Sequence, residues 1–121
     1  MTEFRVDPQS PVEIEVKAGS PVVFRFTAQY RVPGRDYVNF ASARDSTHVS
    51  QSTYRTELRA PIASHTDLRI YFLVDGPANH SYRIAVQCSQ RGKPLGKPLI
   101  CKGTIANDGQ IVFATAEATF V

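Results

Sequence analysis

The chain of 121 residues contains no tryptophan, one methionine and two cysteines. Without tryptophan, the Cys…Trp…Cys core of antibody domains is excluded. Cys88 and Cys101 are too few for a disulfide scaffold, and no Cys-x-x-Cys spacing is present. No apolar run approaches the roughly 20 residues of a membrane span, so no membrane partner is expected. A strong charge bias is missing too: 14 Lys and Arg stand against 11 Asp and Glu, for a net charge of +3. The arginines are spread along the chain, whereas nucleic-acid binders concentrate cations on one face or segment. Nucleic acid is therefore not the expected partner.

The signatures of chemistry are also absent. His48, His65 and His80 show none of the short spacings that bring ligands onto one metal, and no cofactor is expected. No Gly-x-Ser-x-Gly elbow occurs. Both cysteines fall on the apolar phase of their segments, the opposite of what a reactive thiolate needs. Glu13 and Glu15 share the wet face of one segment, where a solvated surface is the default. The expectation is a protein without enzymatic activity.

What the sequence does have is a period of two. Val12-Glu13-Ile14-Glu15-Val16-Lys17 alternates apolar with charged residues. After Ala18-Gly19-Ser20-Pro21, a turn composition, Val22, Phe24, Phe26, Ala28 and Tyr30 share one face. Pro33-Gly34 reads as a turn, and Tyr37 to Ala41 as a short strand. Leu68 to Val74 is the most apolar segment and reads as a central strand covered on both sides. Tyr82, Ile84, Val86 and Cys88 form the next core face; Leu99, Cys101, Gly103 and Ile105 form another. Asn107-Asp108-Gly109 is a hairpin signal. In the last strand, Gln110 to Phe120, the apolar face switches from Ile111 and Phe113 to Ala114, Ala116, Ala118 and Phe120. One extra residue flips the alternation, so a β-bulge near Phe113 is expected.

Eight or nine strands and no helix follow. Turn signals recur at the spacing of sandwiches. The expected fold is all-β: one domain over residues 1–121, a two-layer antiparallel β-sandwich, immunoglobulin-like in general form. A small β-barrel is the alternative.

Two segments are candidate binding sites. Gly92-Lys93-Pro94-Leu95 repeats at once as Gly96-Lys97-Pro98-Leu99. Arg91, Lys93 and Lys97 supply cations there, and Leu95 an apolar anchor on a projecting hairpin tip. The other is the hydroxyl-rich stretch 42–53, a long loop or solvated edge strand, with Arg44, Asp45, His48 and Tyr54. Long polar loops on a rigid sandwich are where such scaffolds carry binding. The leading expectation is a module that binds another protein, in an interaction, structural or assembly role. A small carbohydrate-binding module using residues 42–54 is second, and an enzyme third. Self-association is expected through the final strand, alanine-rich and nearly uncharged, if it lies at a sheet edge. If the hairpin centres on Pro94-Leu95, Cys88 and Cys101 are equidistant from its tip and form a cross-strand thiol pair. Met1-Thr2-Glu3-Phe4 has neither the basic start nor the apolar stretch of a signal peptide. A chain of this extent as the full-length product is expected in the cytoplasm, with its thiols reduced.

Overall fold

A computed structural model describes residues 2–19, 23–50, 52–108 and 111–121. Eleven strands occur among them: β1 (Thr2–Phe4), β2 (Val12–Ala18), β3 (Val23–Arg31), β4 (Val38–Ser42), β5 (Thr47–Ser50), β6 (Thr53–Leu58), β7 (Thr66–Asp75), β8 (Ser81–Gln90), β9 (Lys93–Pro94), β10 (Leu99–Thr104) and β11 (Val112–Phe120). They form two packed sheets and no closed barrel. One sheet runs β1-β11-β7-β3-β4, and the other runs β10-β8-β2-β6-β5, with β9 pairing onto β8. Pairing is antiparallel except between β1 and β11.

The alternation decides which side chains meet between the sheets. Val12, Ile14, Val16 and Ala18 of β2 face Phe24, Phe26, Ala28, Leu68, Ile70, Phe72 and Val74, and all are buried. Tyr82, Ile84, Val86 and Cys88 extend that core along β8. Phe24, Phe26 and Phe72 pack with ring centroids 6.3–6.4 Å apart, and the Tyr54 ring meets Phe24 and Phe26 edge-on. Such edge contacts suit the ring quadrupoles.

β7 is central in its sheet, but only one of its faces is covered. Leu68, Ile70, Phe72 and Val74 point inward, while Tyr71 and Leu73 are each 41% exposed. An antiparallel sheet with a second sheet on one side leaves its other side to solvent. The expected bulge near Phe113 is absent. Val112 to Phe120 pair with Val74 to Thr66 without a register break. The even-numbered residues face inward throughout, so Ile111 and Phe113 stand outward, 57% and 78% exposed. The bulges lie elsewhere: between Ala28 and Gln29 against β4, and between His48 and Ser50 on β5.

The Asn107-Asp108-Gly109 segment does not close a hairpin. β10 pairs with β8, and β11 with β7 and β1, so this connection crosses from one sheet to the other. Gly109 itself lies outside the described residues. The Asp108 carboxylate accepts from the Ala78 amide (2.7 Å), and the Asn79 amide donates to the Ile105 carbonyl (2.6 Å).

The second hairpin is also centred elsewhere than expected. Its tip is Arg91-Gly92, with φ of 53° and 75° between the paired residues Gln90 and Lys93. Positive φ at both central positions matches the twist of the flanking strands, which the proline-containing Pro94-Leu95 step cannot do. Cys101 therefore sits opposite Ile84, and Cys88 opposite Ile14. Four positions of strand, about 13 Å, separate Cys88 from the residue facing Cys101, well beyond bridging range. The expected cross-strand pair is not formed, and both thiols are free and buried.

Candidate functional site

The Arg91–Lys97 set is built on the end of β8. Gln90 is buried, and its amide group is fully used. Its Nε2 donates to the carbonyls of Asp7 (2.8 Å) and Ser10 (3.0 Å), and its Oε1 accepts from the Asp7 amide (2.9 Å). This ties the connection between β1 and β2 to the hairpin. Asp7 is thereby placed to take Arg91, whose Nη2 lies 2.7 Å from Oδ2. The Gln9 amide, aided by Arg91 and Ser10, holds the Asp7 carboxyl below its ordinary range, against a desolvation cost second only to the Gln9 hydrogen bond.

The two Gly-Lys-Pro-Leu repeats differ in use. Gly92 turns the hairpin, whereas Gly96 lies where a Cβ would come within 2.9 Å of the Phe4 ring. Leu95 does not project. Its amide donates to the Cys88 carbonyl (2.9 Å), and its half-buried side chain packs on the core. Lys93 and Lys97 are exposed.

Residues 42–50 form a tight turn and a short edge strand, β5, which pairs antiparallel with β6 from Thr53 onward. Ser42 and Asp45 bond each other (Oγ to Oδ2, 2.9 Å), and the Ser46 hydroxyl donates to the Ser42 carbonyl (2.6 Å). This turn carries the chain from β4 in one sheet to β5 in the other. His48 stacks flat on Tyr54, with centroids 4.5 Å apart and planes 3° apart. One face of the Tyr54 ring is therefore occupied. Arg44 is exposed and borders an open crevice of about 1030 Å³ with Tyr54, Asn39, Tyr71 and Phe113. Gly92 and Asp45 lie on opposite flanks of a second trough, about 780 Å³, over the outer face of the β10-β8-β2-β6-β5 sheet. Of the two predicted segments, this trough is bordered by Asp45 and by Gly92, and not by Arg91, Lys93, Leu95 or Lys97.

The most developed surface is one that sequence reasoning missed: the outer face of the β1-β11-β7-β3-β4 sheet. Phe113 lies opposite Leu73, which lies opposite Arg25. Tyr71 lies in the next row, between Thr115 and Thr27. Further along, Arg69 Nε and Nη2 both donate to Gln29 Oε1 (3.1 and 2.9 Å), and Gln29 Nε2 donates to Asn39 (2.6 Å). The Arg69 guanidinium lies 3.5 Å from the Tyr37 ring centre and 4.7 Å from that of Tyr71. Arg31 covers the same Tyr37 ring at 4.6 Å and pairs with Asp67 at 2.8 Å. The Thr119 hydroxyl donates to the other Asp67 oxygen (2.8 Å). Arg31 and then Thr119 hold the Asp67 carboxyl below its ordinary value. The signal available in sequence was the unbroken even phase from Val112 to Phe120, which leaves Ile111 and Phe113 outward without any bulge.

The buried thiols are not equipped for chemistry. Burial pushes the Cys88 thiol up to about 12 and raises that of Cys101. Among the described residues no group of three or more His, Cys, Asp or Glu is arranged to hold a metal ion. Fold and surface together define a two-layer β-sandwich with one ordered apolar and guanidinium-rich outer face. Comparison with protein-family models, with curated proteins and with solved structures finds no match.

Proposed function

We propose that this protein is a non-enzymatic β-sandwich module, immunoglobulin-like in general form, that binds another protein through the outer face of the β1-β11-β7-β3-β4 sheet. The observation that carries the reading is the exposed cluster of Phe113, Leu73 and Tyr71, extended by Ile111, on a regular strand surface. Apolar surface of this kind on a soluble fold marks interaction sites, and aromatic residues with arginine are the side chains enriched where partners bind. Arg25 lies in the Phe113–Leu73 row, and Arg69 is pre-ordered by Tyr37 and Gln29. The partner this face suits presents an apolar patch bordered by carboxylates.

The immunoglobulin-like reading rests on chain order. Neighbours β2-β6-β5 in one sheet and β4-β3-β7-β11 in the other follow the B-E-D and C′-C-F-G order of that architecture. The β8–β10 hairpin is then an insertion beside β2 that precedes the last strand.

The test is a pull-down from the native host with the wild type and with Phe113→Ser/Leu73→Ser. A protein retained by the wild type and lost by the double variant is the expected result. Both positions are solvent-facing, so the variant keeps its unfolding midpoint. A glycan array showing saturable sugar binding, altered by Arg44→Ala and not by the double variant, overturns the reading in favour of residues 42–54.

A further inference from the structure

One flank of β11 is only partly covered. β1 pairs with it from Ala118 to Phe120. Among the described residues no strand pairs with Val112 to Ala116 on that side. The phase of the main chain there is fixed by the bonds at its end. The Val121 amide donates to the Phe4 carbonyl (2.8 Å), and the Val121 carbonyl accepts from the Val6 amide (3.0 Å). Main-chain groups alternate sides along a strand, and the pairing with β7 has no register break. The odd-numbered residues therefore turn their N–H and C=O away from β7. The Thr115 carbonyl agrees with this phase, since it accepts from Cys101 Sγ at the margin of the other sheet. Phe113 and Thr115 thus present main-chain groups along an open flank. A groove of about 640 Å³ runs beside Thr115 to Glu117, lined on its far side by Lys97, Pro98, Leu99 and Ile100.

An exposed strand edge is a template for another chain, and folds blunt such edges with short strands, bulges, charge or proline. The other edges carry these devices. β1 is three residues long. β4 is bulged against β3, and β5 against β6. β10 follows Pro98 and carries Lys102. The β11 flank has none of them: Ile111-Val112-Phe113-Ala114-Thr115-Ala116 contains no charge, proline or glycine. We propose that this flank pairs antiparallel with the same flank of a second copy, about a two-fold axis normal to the sheet and centred on Phe113. Phe113 then lies opposite its own counterpart and exchanges both main-chain hydrogen bonds with it, as a hydrogen-bonded antiparallel pair does. Thr115 of each copy lies opposite Ile111 of the other. A two-fold contact must be self-complementary, and an uncharged strand brings no like charges opposite each other. The two most exposed apolar side chains, Phe113 (78%) and Ile111 (57%), gain neighbours across the junction. Centring on Ala114 instead would set Glu117 opposite Ile111; centring on Phe113 leaves Glu117 outside the paired segment.

The β4-β3-β7-β11 sheets of the two copies become one continuous sheet. The contact is short, about five residues a side against the roughly 20–30 of a standard interface, so association is weak. It uses no charge and is indifferent to salt. The proposal stands apart from the partner-binding reading, because Leu73, Tyr71 and Arg69 remain on the outer face in the dimer.

Sedimentation equilibrium from about 10 to 500 μM spans the range of so weak a contact. A monomer–dimer equilibrium, unchanged between low and high salt, is expected. Thr115→Pro removes an amide that faces the flank and no bond to β7. It should keep the circular dichroism of the wild type and lower the association constant at least about tenfold. Disulfide capture is a second arm that needs no proline. Phe113→Cys should form a disulfide-linked dimer on mild oxidation. Leu73→Cys should not, because two β11 strands lie between the β7 strands of the two copies, a span of about 14 Å that a disulfide cannot bridge. A monomer throughout the range overturns the proposal. So does a dimer untouched by a folded Thr115→Pro, or capture at position 73 equal to that at 113, either of which places self-association on another surface. Should Thr115→Pro not fold, the two cysteine variants decide.

Discussion

Cys88 and Leu95 show how neighbouring residues set each other's roles. The Cys88 carbonyl accepts from the Leu95 amide, and the half-buried Leu95 side chain packs on the core. A leucine between two lysines in sequence is consumed by packing, and the hairpin tip passes to Arg91-Gly92. The thiols follow from the same burial. Cys88 is fully enclosed, with its acidity pushed up to about 12. Cys101 is nearly so, and its Sγ donates to the Thr115 carbonyl at 3.2 Å. At pH 8 neither side chain is a thiolate, and the thiolate is the reactive form. Labelling of the native protein with an aromatic disulfide reagent should be at least a hundredfold slower than in urea at both positions, with Cys88 the slower. Mild oxidation should leave the two thiols unbridged. Fast native labelling of Cys88 would show that the inward phase of β8 is misplaced.

At the scale of elements, β11 is the strand whose two faces differ most. Its inward side is Ala114, Ala116, Ala118 and Phe120, and its outward side includes Phe113. Small inward side chains let β10 of the other sheet approach closely enough for Cys101 to reach the Thr115 carbonyl. β1 covers the same flank of β11 only from Ala118 to Phe120. The two phenylalanines of this strand should therefore respond oppositely to truncation. Phe120→Ala removes a fully buried ring that packs on Phe4, at a cost of about 3–5 kcal/mol. Phe113→Thr exchanges an exposed ring for a strand-favouring residue and should change stability by less than about 0.5 kcal/mol. Urea denaturation of both variants separates them. A large loss for Phe113→Thr would mean that the bulge exists and the ring is inside.

For the molecule as a whole, the outer face of the β1-β11-β7-β3-β4 sheet is the apolar and guanidinium-rich one. It is braced by Asp67, which joins Arg31 of β3 and Thr119 of β11 across β7. Its carboxyl titrates below the ordinary value of 3.8 in the folded state. A depressed carboxylate stabilises the fold above its unfolded value, and this contribution is lost as pH falls through the folded one. The wild type should therefore be more stable than Asp67→Asn at pH 7, and the gap should close as pH drops from about 5 to below 3. Urea midpoints for both proteins across that range measure it. A gap constant with pH would mean that Asp67 acts through shape alone.

Period-two alternation was enough to establish an all-β chain and most of its core. Val12, Ile14, Val16, Phe24, Phe26, Ile70, Phe72, Ile84 and Val86 are buried as their phase requires, because inward alternation is a local property of a strand. The candidate segments at 91–97 and 42–54 were legible as turns and edges from Gly, Pro and hydroxyl content. What alternation cannot carry is which strands pair, in what register, and in which sheet. The Asn107-Asp108 segment has hairpin chemistry, yet it joins different layers, since β10 finds its partner in β8. The Cys88–Cys101 register moved because two positive-φ residues at Arg91-Gly92 fit the strand twist better than a proline step. Phe113 in one row with Leu73 and Arg25, and Lys102 opposite Arg83, bring together residues 19 to 88 positions apart. Those rows are a consequence of long-range backbone pairing, and the first of them makes the proposed binding face.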